Sequence, residues 1–167
     1  MENTNVEAIR VAVNKQLKEQ VELNAEEVLK IVDELVSPYI KEIDEYILKV
    51  KDALAVPDEN LSDEELNKVL LVMSANLYTI SDTQERFGIK QDIAEILADE
   101  KYDGFFSAAT GTVADKNSKA RDGAKEDLLI KTIYSRVYKL IKMKYESGNK
   151  FADAVKKVIS NRLAQRA

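Results

Sequence analysis

Apolar residues recur every three to four positions along almost the whole chain, a spacing that predicts helix throughout. Val6, Ile9, Val13 and Leu17 predict a first helix from Thr4, a capping residue, to about Leu23. Asn24-Ala25-Glu26-Glu27 opens a second, carrying Val28, Leu29, Ile31, Val32, Leu35 and Val36 and ending near Ser37-Pro38. Ile40, Ile43, Ile47, Val50 and Leu54 follow, either in a third helix capped by Ser37 or in one helix kinked at the proline. Together these form an acidic N-terminal helical part over 1–56, closed by the break at Val56-Pro57. Ser62-Asp63-Glu64-Glu65 then starts a long helix over 62–102, with the stripe Leu66, Val69, Leu70, Met73, Leu77, Ile80, Phe87, Ile93, Ile96 and Leu97, and either Gly88 as the expected bend or a break where 81–86 interrupt the stripe.

Asp103 to Thr112, bounded by Gly104 and Gly111, reads as the clearest loop, in which Phe105 and Phe106 either stack on bases or pack on a hairpin end. A basic helix over 113–147 comes next, its polar lead-in Val113–Lys125 being either an arm or its first turns. Ser147-Gly148-Asn149 offers a left-handed stop and a new cap before a terminal helix over 149–165 with Phe151, Ala154, Val155, Val158, Ile159 and Leu163. The expectation is one all-α domain over 1–167, an elongated helical hairpin or bundle with long central helices and no sheet.

Within the basic helix, Lys125 to Glu146 separates into two faces. Leu140, Ile133, Val137, Ile130, Ile141, Tyr134, Tyr145 and Tyr138 fall on one side; Lys131, Lys142, Lys139, Lys125 and Arg136 fall on the other, and only Lys144 intrudes on the apolar sector. Tyr134 and Tyr138 border Lys131 and Lys142. A cationic stripe edged by aromatic rings offers single-stranded nucleic acid both charge for phosphates and flat faces for bases. The same pattern also describes a bundle helix with a solvated Lys/Arg face and tyrosines at the core rim.

Charge sharpens this choice without settling it. From Lys116 onward fourteen basic residues meet five acidic ones, a net of +9; the remaining eleven basic and twenty-five acidic residues give 1–115 a net of −14. Such a split serves a polyanion, or two halves that pack on each other or on neighbouring subunits. With no Cys and no His, thiol and imidazole chemistry and the commonest metal ligands are excluded. No phosphate loop, dinucleotide turn or nucleophile elbow occurs, so no catalytic residue, cofactor or metal is expected, and the chain reads as not an enzyme. Asp58, Glu59, Asp63, Glu64 and Glu65 lack the alternating ligands and turn glycine of a calcium loop; helix initiation explains them better. No signal-peptide pattern opens the chain and no apolar run approaches a bilayer span, so the expected location is cytoplasmic, without membrane.

Lys101-Tyr102-Asp103-Gly104-Phe105-Phe106-Ser107, the lysine-rich passage after it, the long helix through Tyr134 and Tyr138, and Ser147-Gly148 before a short terminal helix give residues 66–165 a layout that resembles UvsY-type phage recombination mediators. The resemblance implies a small helical homo-oligomer in the host cytoplasm that binds single-stranded DNA and helps load a recombinase. It implies phosphate contacts from Lys101, Lys116, Lys119, Arg121, Lys131, Lys139 and Lys142, with Tyr134 and Tyr138 stacking. The competing expectation is a helical protein–protein interaction or structural module, such as a virion component or an inhibitor of a host defence protein, whose basic part docks on acidic surfaces. Lys131, Lys139 and Lys142 decide between the two: open ammonium groups favour DNA, and carboxylate partners from the first hundred residues favour the module.

Overall fold

A computed structural model describes residues 25–55 and 61–166, which form four helices and, among the described residues, no strand. They are α1 (Ala25–Ala55), α2 (Asp63–Ala108), α3 (Val113–Gly123) and α4 (Lys125–Arg166). The helix expected over Thr4–Leu23, the Asn24 cap and the break at Val56-Pro57 lie outside the described residues. The described residues divide into two compact units, one holding 25–35 and Phe87–Tyr138, the other holding the described parts of 36–86 and of 139–166.

At three places where a break was expected or left open, the chain stays helical. Pro38 sits inside α1, as the reading of one helix through the proline has it. A proline in a helix interior removes one backbone donor. Glu34, whose carbonyl loses that donor, and Pro38 are both exposed, so the lapse falls on the water side, while Val36 and Ile43 anchor the other face in the core. The loop expected over Asp103–Thr112 shrinks to residues 109–112, because α2 runs on through Gly104 to Ala108. Its last turns pack on α3: the Tyr102 hydroxyl donates to Asn117 Oδ1 at 2.7 Å, Phe106 stacks on Tyr102 at 6.3 Å, and Phe105 lies where Gly123 leaves room. Phe106 therefore packs, as one of the two readings expected, while Phe105 rests against Gly123 and stays 43% exposed.

Gly148 is the third. It is buried within α4, and a Cβ there would come within 2.6 Å of Leu77 Cδ2, so this glycine permits helices to approach rather than ending one. Asn149 caps nothing; its amide donates to the Tyr145 carbonyl one turn back. The only break in the expected basic helix lies earlier, at Ala124, between α3 and α4.

Helix starts follow sequence chemistry. Ser62 and Glu65 form the expected capping box: the Ser62 N–H donates to Glu65 Oε2 at 2.7 Å, and the Glu65 N–H donates to Ser62 Oγ at 3.2 Å. The Ser62 donation, backbone first, holds the Glu65 carboxyl below its usual range. Thr112 and Asp115 repeat the device at α3, after Gly111 with φ of 120°, the left-handed turn glycine.

In the second unit α1, α2 and α4 share a core of Val36, Ile43, Val50, Leu66, Val69, Met73, Leu77, Ile80, Ile141 and Val155. In the first, Phe87, Ile130, Ile133, Tyr134 and Val137 pack with the small residues Ala94, Ala98, Ala120 and Ala124. The small residues correct the expected α2 stripe. Ile93, Ile96 and Leu97 are exposed, and Ala94 and Ala98 are buried in their place. The helical repeat from Phe87 leads to positions 94 and 98, and alanine there lets neighbouring helices approach closely.

Candidate nucleic-acid interface

The nine residues expected to meet a nucleic acid do not share one fate. Lys131 is engaged by α2: its ammonium lies 2.8 Å from Glu95 Oε1 and 3.2 Å from Asp99 Oδ1. These carboxylates, Glu95 foremost, raise its pKa above the usual lysine value. Tyr134, 3% exposed, lies in the core with its ring 6.4 Å from Phe87, so it offers no face to a base. Its hydroxyl is buried without a hydrogen-bond partner, and that burial raises its pKa. Tyr138 is half-buried, with its ring against Gly88; a Cβ on that glycine would stand 3.4 Å from Tyr138 Cε2. Gly88 therefore makes room for a ring, inside a helix that continues through it.

Lys116 places its ammonium 5.8 Å from the centre of the Phe106 ring, and Lys119 donates to the Thr110 carbonyl at 3.0 Å, fastening the short loop to α3. Lys101 and Arg121 are exposed and make no ion pair among the described residues, and the same holds for Lys139 and Lys142 in the other unit. The expected stacking edge is thus absent from the surface as drawn: its central lysine is paired and its central tyrosine is in the core.

Other cations of the basic segment are also tied to the acidic one. Lys144, the lone lysine of the apolar sector, meets both Asp44 oxygens at 2.7 Å. Arg162 donates to the Leu61 carbonyl at 2.5 Å and lies 3.3 Å from Asp63, while Arg166 reaches the same carboxylate at 2.7 Å. Asp63 thereby serves the start of α2 and the end of α4 together.

Two surface features were missed in the sequence. Lys150 and Lys157 are exposed, without ion pairs among the described residues, and fall on nearly the same side of α4 as Lys139. Helical spacing alone could have shown this row, had the basic helix not been ended at Gly148. On α2, Leu71, Ala75 and Tyr78 in one unit, and Ile89, Ile93 and Ile96 in the other, are exposed at i, i+4, i+7 spacing, about half a turn from the buried positions. Leu71 is 72% exposed and Tyr78 82%, high for side chains this apolar on a helix with a core of its own.

Among the described residues no group of His, Cys, Asp or Glu could hold a metal ion, and no helix is long and apolar enough to cross a membrane. No protein family, curated protein or solved structure matches the chain.

Proposed function

We propose that the chain is a non-enzymatic helical module that acts by binding protein, copies of itself included. The observation that carries this reading is the outward apolar triplet on α2 in each unit, Leu71-Ala75-Tyr78 and Ile89-Ile93-Ile96. Water penalises each exposed isoleucine or leucine by about 1.5–3 kcal/mol relative to burial, so such triplets favour contact with another apolar surface. The pairing of Lys131, Lys144, Arg162 and Arg166 supports the same reading, because those cations are already neutralised by carboxylates of α1 and α2. Sedimentation velocity across a range of concentrations tests it: self-association without nucleic acid supports the module, and an unchanging monomer removes its self-binding part.

A second reading keeps the expected recombination accessory, a UvsY-like binder of single-stranded DNA acting as a homo-oligomer. It is favoured by four cations of α4 that make no ion pair among the described residues, Lys139, Lys142, Lys150 and Lys157. These supply phosphate contacts without a stacking platform, so binding would weaken steeply with salt and show little base preference. An anisotropy titration of a labelled oligonucleotide decides: Lys139→Glu with Lys142→Glu abolishes binding under this reading, whereas absence of binding at low salt eliminates it.

A further inference from the structure

The second unit carries an open recess of about 200 Å³ between α1 and α2. Pro38, Tyr39, Glu42 and Ile43 form one wall and Asn76, Thr79, Ile80 and Thr83 the other, each set falling on one side of its helix. Three of its polar groups can only accept hydrogen bonds. The Thr79 hydroxyl donates its proton to the Ala75 carbonyl at 3.3 Å, and the Thr83 hydroxyl donates to the Thr79 carbonyl at 3.2 Å, so each oxygen keeps lone pairs alone. The Glu42 carboxylate is acceptor-only and makes no ion pair among the described residues. The amide of half-buried Asn76 makes no side-chain hydrogen bond among them either. Arg86, about one turn beyond Thr83 on α2, is already held by Asp82 at 2.9 Å.

We infer that this recess binds a small organic primary amine, its ammonium donating to Glu42, Thr79 and Thr83 and its apolar body lying on Pro38, Tyr39, Ile43 and Ile80. Acceptors that come from two helices call for donors that diverge; an ammonium has three such donors, whereas a guanidinium fixes its own in one plane. A lone carboxylate with two hydroxyls falls short of the about six to eight oxygens of a calcium site, and no metal-holding group of acids gathers among the described residues. A cavity of about 150 Å³ accepts benzene, so this recess admits a six-carbon ring with a short amine arm. The site lies within one unit and needs no second copy, so it stands or falls apart from the protein-binding reading.

Benzylamine, titrated into the isotope-labelled full chain and followed by amide chemical shifts, is the probe, with benzyl alcohol as its uncharged counterpart. The expected result is saturable shifts centred on 39–43 and 76–83, with a Kd of about 1 mM, the order that ligand efficiency sets for so small a molecule. Glu42→Gln weakens binding about fivefold, the upper range for an exposed ion pair. Glu45→Gln, at an exposed acid of α1 outside the recess, leaves it unchanged. Both variants alter exposed side chains, and helical dichroism checks that they fold. Absence of a saturable shift at about 10 mM overturns the inference, as do shifts centred elsewhere. Equal binding of benzyl alcohol, or an equal loss from Glu45→Gln, overturns it too, because the Glu42 carboxylate then recognises nothing.

Discussion

Gly148 supplies the sharpest test of how α4 packs. Adding a methyl there places Cβ 2.6 Å from Leu77 Cδ2 and 3.7 Å from Met73 Sδ, both on α2. Contact at 2.6 Å is inside van der Waals range, and overpacking of a filled core costs about 1–3 kcal/mol. Replacing glycine by alanine within a helix gains about 1 kcal/mol. Gly148→Ala is therefore expected to be destabilising by about 0–2 kcal/mol, the difference between those two effects. In a Leu77→Ala background the crowding atom is gone, so the same change should stabilise by about 1 kcal/mol even though Leu77→Ala itself costs about 2–5 kcal/mol. The cycle thus predicts a coupling of about 1–3 kcal/mol between the two positions. Urea unfolding of the four proteins, followed by helical circular dichroism, measures it. If Gly148→Ala has the same effect in both backgrounds, within about 0.5 kcal/mol, glycine is not there to admit Leu77 and the packing account fails.

Gly104 is the natural contrast: nothing lies within 4 Å of its would-be Cβ and it is exposed within α2, so Gly104→Ala should stabilise by about 0.5–1 kcal/mol in the same assay. For Lys144 and Asp44, 2.7 Å apart, Coulomb attraction at an effective dielectric of 20 is about 6 kcal/mol. Their side chains are 32% and 37% exposed, so desolvation and screening should leave a coupling of about 0.5–1 kcal/mol in a Lys144→Met, Asp44→Asn cycle; a value that survives unchanged in 1 M salt would contradict the ion pair. The Glu65 carboxyl is held below its ordinary value by Ser62, so its contribution is complete above the unfolded-state pKa and is lost as pH falls through the lower folded value. Glu65→Gln, which removes the titrating group that both Ser62 donors face, should accordingly flatten the acid limb of a stability–pH profile, and an unaltered limb would refute the assignment.

Helix content and the start of α2 were legible because they depend on local signals. Apolar spacing and the Ser62–Glu65 box act within a few residues, and the structure reproduces both. The stop at Gly148 was misread because that glycine has a tertiary reason to be in a helix: it faces Leu77, which is not near in sequence. The inward face of α2 was read correctly from Leu66 to Phe87 and misread only beyond it: large Ile93 and Ile96 outweigh small Ala94 and Ala98 in any hydrophobic count, although packing distance, rather than side-chain size, decides which face turns in. Lys144 shows the reverse. It stood out in the sequence as the one charge in the apolar sector, and only the fold reveals that Asp44, one hundred positions away, answers it. The surface lysines told least, because nothing local separates Lys131, which meets two carboxylates, from Lys142, which meets none among the described residues.

The most direct measurement is sedimentation equilibrium of the full chain beside a variant carrying Ile93→Glu and Ile96→Glu. The account predicts a wild-type mass that climbs with concentration from the 18.8 kDa of one chain toward at least twice that, and a variant that stays at 18.8 kDa with its helical dichroism intact. A variant that assembles as the wild type does would contradict the role given to the outward face of α2.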